Sequence, residues 1–199
     1  ALASLGASIH SRDSAGESPL SYALKKGGAV LQALLDQKTA RSSDADGRSV
    51  IRVILEAKPS IDFIELALAA GASVDDRDAF GRSPLHVAAT NGYAEIAELL
   101  VAAGADRFVR DSGGATPAVI ALSRGDAMIA ALFGASPNDA DYLGETALHY
   151  AAAGGLDRAA QALLALGADT ARRNAAGETP ADVAARRGHA ALAKLLAGE

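Results

Sequence analysis

The sequence contains no cysteine and no tryptophan, and only 4% of its 199 residues are aromatic. The absence of cysteine excludes disulfide bonds, thiolate metal sites and thiol nucleophiles, although it leaves the redox compartment open. Because 50% of the residues are apolar and few of these are aromatic, the core consists of small and medium aliphatic side chains, as in closely packed helices. No apolar run approaches the roughly 20 residues that a membrane helix needs, so we expect no membrane span.

Sequence motifs for catalysis and cofactor binding are also missing. The chain has no GxxxxGK[ST], GxGxxG, HExxH or GxSxG pattern. The acidic stretches DADG at 44–47 and NDADYLGE at 138–145 lack the order of oxygen ligands and the final glutamate of an EF-hand loop. We therefore expect no catalytic residue, no metal ligand and no cofactor.

A repeat of about 33 residues runs along the chain. An acidic or amide residue stands three places before a glycine in six turns, and the successive glycines are 31, 34, 33, 30 and 33 residues apart. A hydroxyl residue follows two places after each glycine, and proline follows four of those hydroxyl residues. The six turns are Asp13–Gly16, Asp44–Gly47, Asp78–Gly81, Asp111–Gly114, Asp141–Gly144 and Asn174–Gly177. A fixed period of this length indicates stacked repeats.

One repeat can be interpreted from residues 78–106. Gly81 allows the positive φ of a tight turn, and Ser83 followed by Pro84 is typical of a helix N-terminus. Apolar residues then recur at helical spacing in two short helices that Gly92 separates. Such a helix pair is too small to bury its own apolar face, so it must stack on neighbouring repeats.

These phrases resemble the ankyrin repeat. The resemblance rests on SPLHVAATNGYAEIAELLVAAGAD at 83–106, TALHYAAAGG at 146–155 and TPADVAARRGHAALAKLL at 179–196. It implies an all-α solenoid of helix–turn–helix units with projecting hairpin loops, forming one domain over residues 1–199. Residues 1–12 are similar to the tail of a preceding unit, and the six repeats cover 13–43, 44–77, 78–110, 111–140, 141–173 and 174–199.

The resemblance also assigns a role to His86. In ankyrin repeats the histidine of the TPLH phrase is structural and ties its helix to a neighbouring hairpin, and His86 and His149 match that position. The corresponding residues in the other repeats are Ser21, Arg52, Val119 and Asp182. A catalytic role for His86 would need a nucleophile or carboxylate motif, which the sequence does not provide.

Two repeats depart from the pattern. In 44–77, Val50 replaces the proline and Lys58 replaces the second glycine, so we expect a different path between the two helices. In 111–140 the outer helix runs through Phe133 directly into Gly134, and we expect it to be three residues shorter. Two interpretations stay open, which are tolerated drift within the solenoid and a shape adjusted to a ligand.

The resemblance also implies a partner surface. Ankyrin arrays commonly bind proteins on the face that their hairpin tips and inner helices form. The matching positions hold eleven basic and five acidic residues, although the formal charge of the chain is −5. This asymmetry favours an acidic partner. Exposed aromatic residues beside arginines are typical of interface hot spots. The candidate partner-binding residues are Arg77, Phe80, Arg82, Asn91, Arg110, Arg124, Tyr142 and Leu143.

Each of these observations has an alternative interpretation. The arginines can instead pair with turn aspartates such as Asp78 and Asp111, which exposed ion pairs commonly do. Phe80 and Tyr142 can instead pack on adjacent hairpins.

The favoured function is non-catalytic protein–protein binding on the concave face, by a monomer whose partner is a protein with an acidic surface. The alternative is a targeting or regulatory segment of a larger enzyme or secreted effector, since the chain begins with Ala1 and an incomplete unit. Nucleic acid is not expected as a partner, because the pI is about 5.4. The sequence does not assign a compartment.

Overall fold

The computed structural model describes residues 8–57 and 59–199. Over these residues the fold is all-α, because every regular element is a helix and the remainder consists of turns and hairpin loops. The chain divides into two compact units. The first runs to Asp106 and includes Arg110–Gly114, and the second consists of Arg107–Val109 and Ala115–Glu199.

In its described part the first unit contains seven helices, and six of them form three consecutive pairs. Their bounds are α1 (Pro19–Lys26), α2 (Gly28–Leu34), α3 (Gln37–Ala40), α4 (Val50–Ala57), α5 (Ile61–Ala69), α6 (Pro84–Asn91) and α7 (Ala94–Ala102). The inner helices α1, α4 and α6 pack side by side, and the outer helices α2, α5 and α7 form a second row. Consecutive helix pairs therefore stack on one another, as the repeat predicts.

The second unit repeats this arrangement with six helices. They are α8 (Pro117–Arg124), α9 (Asp126–Phe133), α10 (Ala147–Ala153), α11 (Asp157–Ala165), α12 (Pro180–Arg186) and α13 (Ala190–Ala197). Helix α10 packs between α8 and α12, and α11 packs against α9. The predicted helix–turn–helix units are thus confirmed within each unit.

The start and end of helix α6 follow from the local sequence. Ser83 is its N-cap, Pro84 occupies the first helical position where a missing N–H has no cost, and Gly92 ends the helix with a φ of 78°. The inward side chains of α6 include Leu85 and Ala88, both fully buried. Small residues such as Ala88 allow neighbouring inner helices to approach closely.

The acidic or amide residue that begins each turn accepts backbone hydrogen bonds, as Asp78 and Asn174 show. Asp78 accepts hydrogen bonds at Oδ1 from the backbone N–H groups of Phe80 and Arg82, each at 2.9 Å. Asn174 does the same for Ala176 and Glu178, at 3.0 and 2.9 Å. One side-chain oxygen therefore closes the loop, and the two residues between the turn aspartate and the glycine form its tip.

Helix α9 in the repeat 111–140 differs from the expectation. The sequence predicts an outer helix that is three residues shorter, yet α9 has eight residues and the outer helix α7 has nine. It begins directly after Gly125, whereas α7 begins two residues after Gly92, so an earlier start offsets part of its earlier end. Of the three missing residues, one is therefore lost before the helix, one within it and one between Phe133 and the next turn.

Two expectations lie outside the described residues. Lys58 is the residue that replaces the second glycine in repeat 44–77, and the path at that position is among the parts of the chain not described. The same holds for residues 1–7 of the partial repeat 1–12. Within that partial repeat, the carbonyl of Ile9 accepts a hydrogen bond from the backbone N–H of Leu20 at 3.0 Å, and Ile9 is buried.

Candidate partner-binding site

The histidines of the SPLH and TALH phrases are part of the scaffold. His149 Nδ1 accepts the backbone N–H of Thr146 at 3.2 Å, and its Nε2 lies 3.1 Å from the carbonyl oxygen of Glu178 in the next hairpin. Since Nδ1 accepts an N–H, Nε2 carries the proton and donates it to that carbonyl. The imidazole therefore joins its own helix start to the following repeat.

His86 has the same local geometry at its helix start. Its Nδ1 lies 3.0 Å from the backbone nitrogen and 2.9 Å from the Oγ of Ser83. The distance resembles that of a nucleophile and its base, but Ser83 is 0% and His86 1% exposed. A substrate cannot reach a pair that is buried to this extent, so the contact stabilises the helix start.

The hairpin at 78–82 presents an exposed aromatic ring. Phe80 lies at the tip and is 63% exposed. The guanidinium carbon of Arg82 lies 5.0 Å from the ring centroid, within the range of a cation–π contact. Arg82 also donates from Nε to Asp78 Oδ2 at 3.0 Å, and its Nη2 lies 2.9 Å from the same oxygen. Arg82 therefore forms an ion pair with the turn aspartate, which was the alternative interpretation of these arginines. The same side chain also covers the Phe80 ring.

Arg77 and Arg110 bind backbone carbonyls. Arg77 Nε donates to the carbonyl oxygen of Gly81 at 2.9 Å, and its Nη2 donates to the carbonyl oxygen of Arg110 in the next hairpin. Arg110 Nη1 donates to the carbonyl oxygen of Gly114 at 3.2 Å. Both residues are exposed, and among the described residues neither forms an ion pair with a carboxylate. Their positive charges therefore remain available to a partner.

A buried ion pair supports the Phe80 hairpin from the preceding repeat. Arg52 occupies the histidine position of repeat 44–77, and its Nη1 lies 3.0 Å from Asp78 Oδ2, with side-chain exposures of 8% and 5%. The Nη1 group has no hydrogen bond of good geometry, so the contact is an ion pair rather than an aligned hydrogen bond. Arg52 Nε also donates to Glu56 Oε1 at 2.6 Å. Arg52 was not among the predicted site residues, although its place in the repeat marks it as a bridge to the next hairpin.

The pKa of Asp78 reflects these contacts. Burial alone would raise the pKa of this carboxyl group. The backbone N–H and the guanidinium of Arg82, the N–H of Phe80 and the charge of Arg52 outweigh that effect, and the pKa lies below its ordinary value. Asp78 is therefore ionised at neutral pH despite its burial.

The remaining predicted residues lie apart from this hairpin. The side-chain amide of Asn91 donates to the carbonyl oxygen of Val87 at 2.9 Å, at the end of α6. Arg124 is the exposed last residue of α8. Tyr142 and Leu143 form a hairpin tip in the second unit and are 85% and 43% exposed. The structure thus brings together Arg77, Phe80 and Arg82, with Arg110 joined to them through Arg77.

Two family models match the chain. One, described as ankyrin repeats in many copies, matches residues 68–121, and the other, ankyrin repeats in three copies, matches residues 126–199. The helix pairs, the turns and these matches agree, and the chain belongs to the ankyrin repeat family. Ankyrin repeats are generally protein–protein interaction modules that are typically non-catalytic. No curated protein matches the chain significantly.

Neither a membrane span nor a metal cluster is found in the described part of the chain. Every helix there is too short or too polar to cross a bilayer. No group of three or more histidine, aspartate or glutamate side chains converges in a way that would hold a metal ion, over residues 8–57 and 59–199.

Proposed function

We propose that the chain is a non-catalytic scaffold that binds an acidic protein partner on the face formed by its hairpin tips and inner helices, the concave face of ankyrin repeats. The observation that carries this proposal is the Phe80 hairpin. An aromatic ring that is 63% exposed stands on the hairpin that Arg77 fastens to the carbonyl of Arg110, and among the described residues no carboxylate forms an ion pair with either arginine. An exposed aromatic residue beside arginines is the usual composition of an interface hot spot.

The charge of the partner follows from the way each arginine is bonded. Arg82 is neutralised by Asp78, but Arg77 and Arg110 contact only carbonyl oxygens, which carry partial charges. A partner carboxylate that approaches this hairpin therefore meets at least two uncompensated guanidinium groups. Such a field steers association and depends on ionic strength. We propose that the chain binds its partner as a monomer.

The test begins with capture of a partner from the native source on immobilised chain, followed by measurement of association and dissociation rates. Phe80→Ala should speed dissociation, with a loss of about 2 kcal/mol or more of binding free energy if the ring is a hot spot. Arg110→Glu should slow association and weaken its salt dependence, whereas Arg110→Lys should retain most of the rate.

Matched controls come from the outer helix α7. Glu95 and Glu98 are exposed there, and their replacement by lysine changes charge without touching a hairpin. These variants should leave both rates unchanged, and melting temperatures should show that every variant is folded. The proposal is wrong if the α7 variants weaken binding while the Phe80 and Arg110 variants do not.

A further inference from the structure

The hairpin tip at Tyr142 and Leu143 differs from the Phe80 hairpin in its charges. Arg77 and Arg82 flank the Phe80 tip, and the two equivalent positions around the Tyr142 tip hold Ala140 and Glu145. The exposed ring of Tyr142 therefore has no arginine on either side. Because the two tips are otherwise closed by the same aspartate turn, the difference lies in the side chains that surround the ring.

Carboxylates predominate around Tyr142. Asp141 accepts the Tyr150 hydroxyl at 2.7 Å on Oδ2, and Glu145 Oε1 accepts the Asn174 amide at 2.9 Å. Glu178 lies 3.4 Å from the same amide nitrogen and forms a bidentate ion pair with Arg186, at 2.6 and 2.9 Å. Of these three carboxylates, Glu178 alone forms an ion pair with a guanidinium group of the described residues.

Arg173 is a second cation at these hairpins, and it reduces the excess of carboxylates without removing it. Arg173 donates to the carbonyl oxygen of Gly177, and its nearest carboxylate is Asp182 at 4.0 Å. Within residues 8–57 and 59–199 no cation lies over the Tyr142 ring, and Glu145 has no ion-pair partner within 4.0 Å, although the charge of Arg186 acts on it from farther away. An uncovered aromatic face and an unpaired carboxylate therefore stand on the same hairpin.

The tip is also held in place. The backbone N–H of Ala175 donates to the carbonyl oxygen of Leu143 at 2.8 Å, which fastens this hairpin to the next one. A side chain built on Gly144 would meet the Asn174 Cα at 3.1 Å, so the two hairpins are in close contact. A partner therefore meets a fixed surface and does not have to order a loop.

We infer that the Tyr142 tip binds a lysine or arginine side chain that stands beside an apolar residue in a protein partner. The cation would lie over the Tyr142 ring and near the Glu145 carboxylate, and the apolar residue would contact Leu143. The contact would be a cation–π interaction between two proteins. Arg82 and Phe80 form the same interaction within the chain, where the guanidinium carbon lies 5.0 Å from the ring centroid. The inference rests on the proposed function and adds a second partner element, of opposite charge to the first.

The test uses two synthetic peptides of equal length, with a leucine flanked by lysines in one and by glutamates in the other. Amide resonances of the isotope-labelled chain are followed by NMR during titration. The lysine peptide should shift the amides of 141–145 and 174–178, and the glutamate peptide should leave these resonances in place. Equal shifts with both peptides, or none with the lysine peptide, would overturn the inference.

Three variants separate the contributions. Tyr142→Leu keeps an apolar tip but loses the ring, and it should weaken lysine-peptide binding about 2- to 5-fold. Glu145→Gln removes the charge and keeps an acceptor for Asn174, with a similar loss. Glu145→Arg restores the residue type of the Phe80 hairpin and should abolish the shifts. Unchanged binding in the Glu145→Arg variant would also overturn the inference.

The control is Asp157→Asn, which removes an exposed carboxylate at the start of α11 and should not change binding. Failure of the lysine peptide is distinguishable from failure of the proposed function, because the latter is judged on the captured partner with variants of Phe80 and Arg110. Those two residues lie in the first unit, and the Tyr142 tip lies in the second.

Discussion

Replacement of Arg52 by methionine should destabilise the first unit by about 2–3 kcal/mol. Removal of one partner of a buried ion pair costs roughly 3–5 kcal/mol when the other charge is left uncompensated. Here Asp78 keeps the Arg82 guanidinium at 2.9 Å and two backbone N–H groups, so the expected cost lies below that range. Methionine retains much of the buried aliphatic volume, which separates the loss of charge from a cavity effect.

A double-mutant cycle with Asp78→Asn isolates the charge interaction. Asparagine can still close the turn, because Asn174 does so in the last repeat with hydrogen bonds of 3.0 and 2.9 Å. We expect a coupling energy of about 1–3 kcal/mol between Arg52 and Asp78, as for residues in one ion-pair network. Urea denaturation at neutral pH, followed by circular dichroism, supplies the four free energies of unfolding.

Two further variants complete the experiment. Arg52→His introduces the residue that two repeats carry at this position, and it should cost less than Arg52→Met because imidazole can bond the following hairpin as His149 does. Arg158→Met is the matched control, since that arginine is 86% exposed and pairs with Asp126 at 3.4 Å, and it should change stability by less than about 0.5 kcal/mol. A coupling energy below about 0.5 kcal/mol, or equal costs at Arg52 and Arg158, would refute the assigned role.

Three other predictions concern the turns and the histidines. Gly144→Ala should lower the free energy of unfolding more than Gly177→Ala does. Both glycines have positive φ (73° and 78°), which costs alanine roughly 1–2 kcal/mol, but only Gly144 lies against the next hairpin. Equal melting temperatures of the two variants would contradict this difference. His149→Ala should lower the free energy of unfolding by about 1–3 kcal/mol, because the Glu178 carbonyl loses its hydrogen-bond donor. His86→Ala should have a similar cost and should leave the affinity for a captured partner unchanged. A variant that loses binding but keeps its melting temperature would argue against a scaffold role. Since the folded pKa of Asp78 is lowered, its stabilising effect is present above its unfolded pKa of about 3.9 and is lost as the pH falls through the folded value. Denaturation between about pH 2 and 5 should therefore show a smaller acid-induced loss in Asp78→Asn than in the unmodified chain, and parallel losses would count against this.

The helix starts and the turns were predictable because they depend on residues close together in the chain. Ser83 followed by Pro84 specifies an N-terminus, and a turn aspartate three residues before a glycine specifies a closed loop. The structure bears this out at both places. Local hydrogen bonds of this kind require no knowledge of neighbouring repeats, so one sequence is sufficient to derive them.

Features that depend on contacts between repeats were harder to predict. Nothing local indicates that Arg77 reaches the carbonyl of Arg110, because the contact crosses from one repeat to the next. The position of Arg52 in the repeat indicates a bridge to the next hairpin but does not specify Asp78 as its partner. The extent of α9 was misjudged for a different reason. Its start depends on the conformation of Gly125, with φ 103° and ψ −178°, which differs from the left-handed Gly92 although both residues are glycine.

A count of charges on the binding face therefore does not measure the field that a partner meets. Arg82 is balanced by Asp78, and Arg186 by Glu178, so these residues add little positive potential. Arg77 and Arg110 use the same functional group to bind carbonyl oxygens, which leaves the full charge uncompensated while the hydrogen bonds hold the hairpins in position. An arginine bonded to a backbone carbonyl thus stabilises the scaffold and, under the proposed function, also attracts the acidic partner, whereas an arginine bonded to a carboxylate can do only the first.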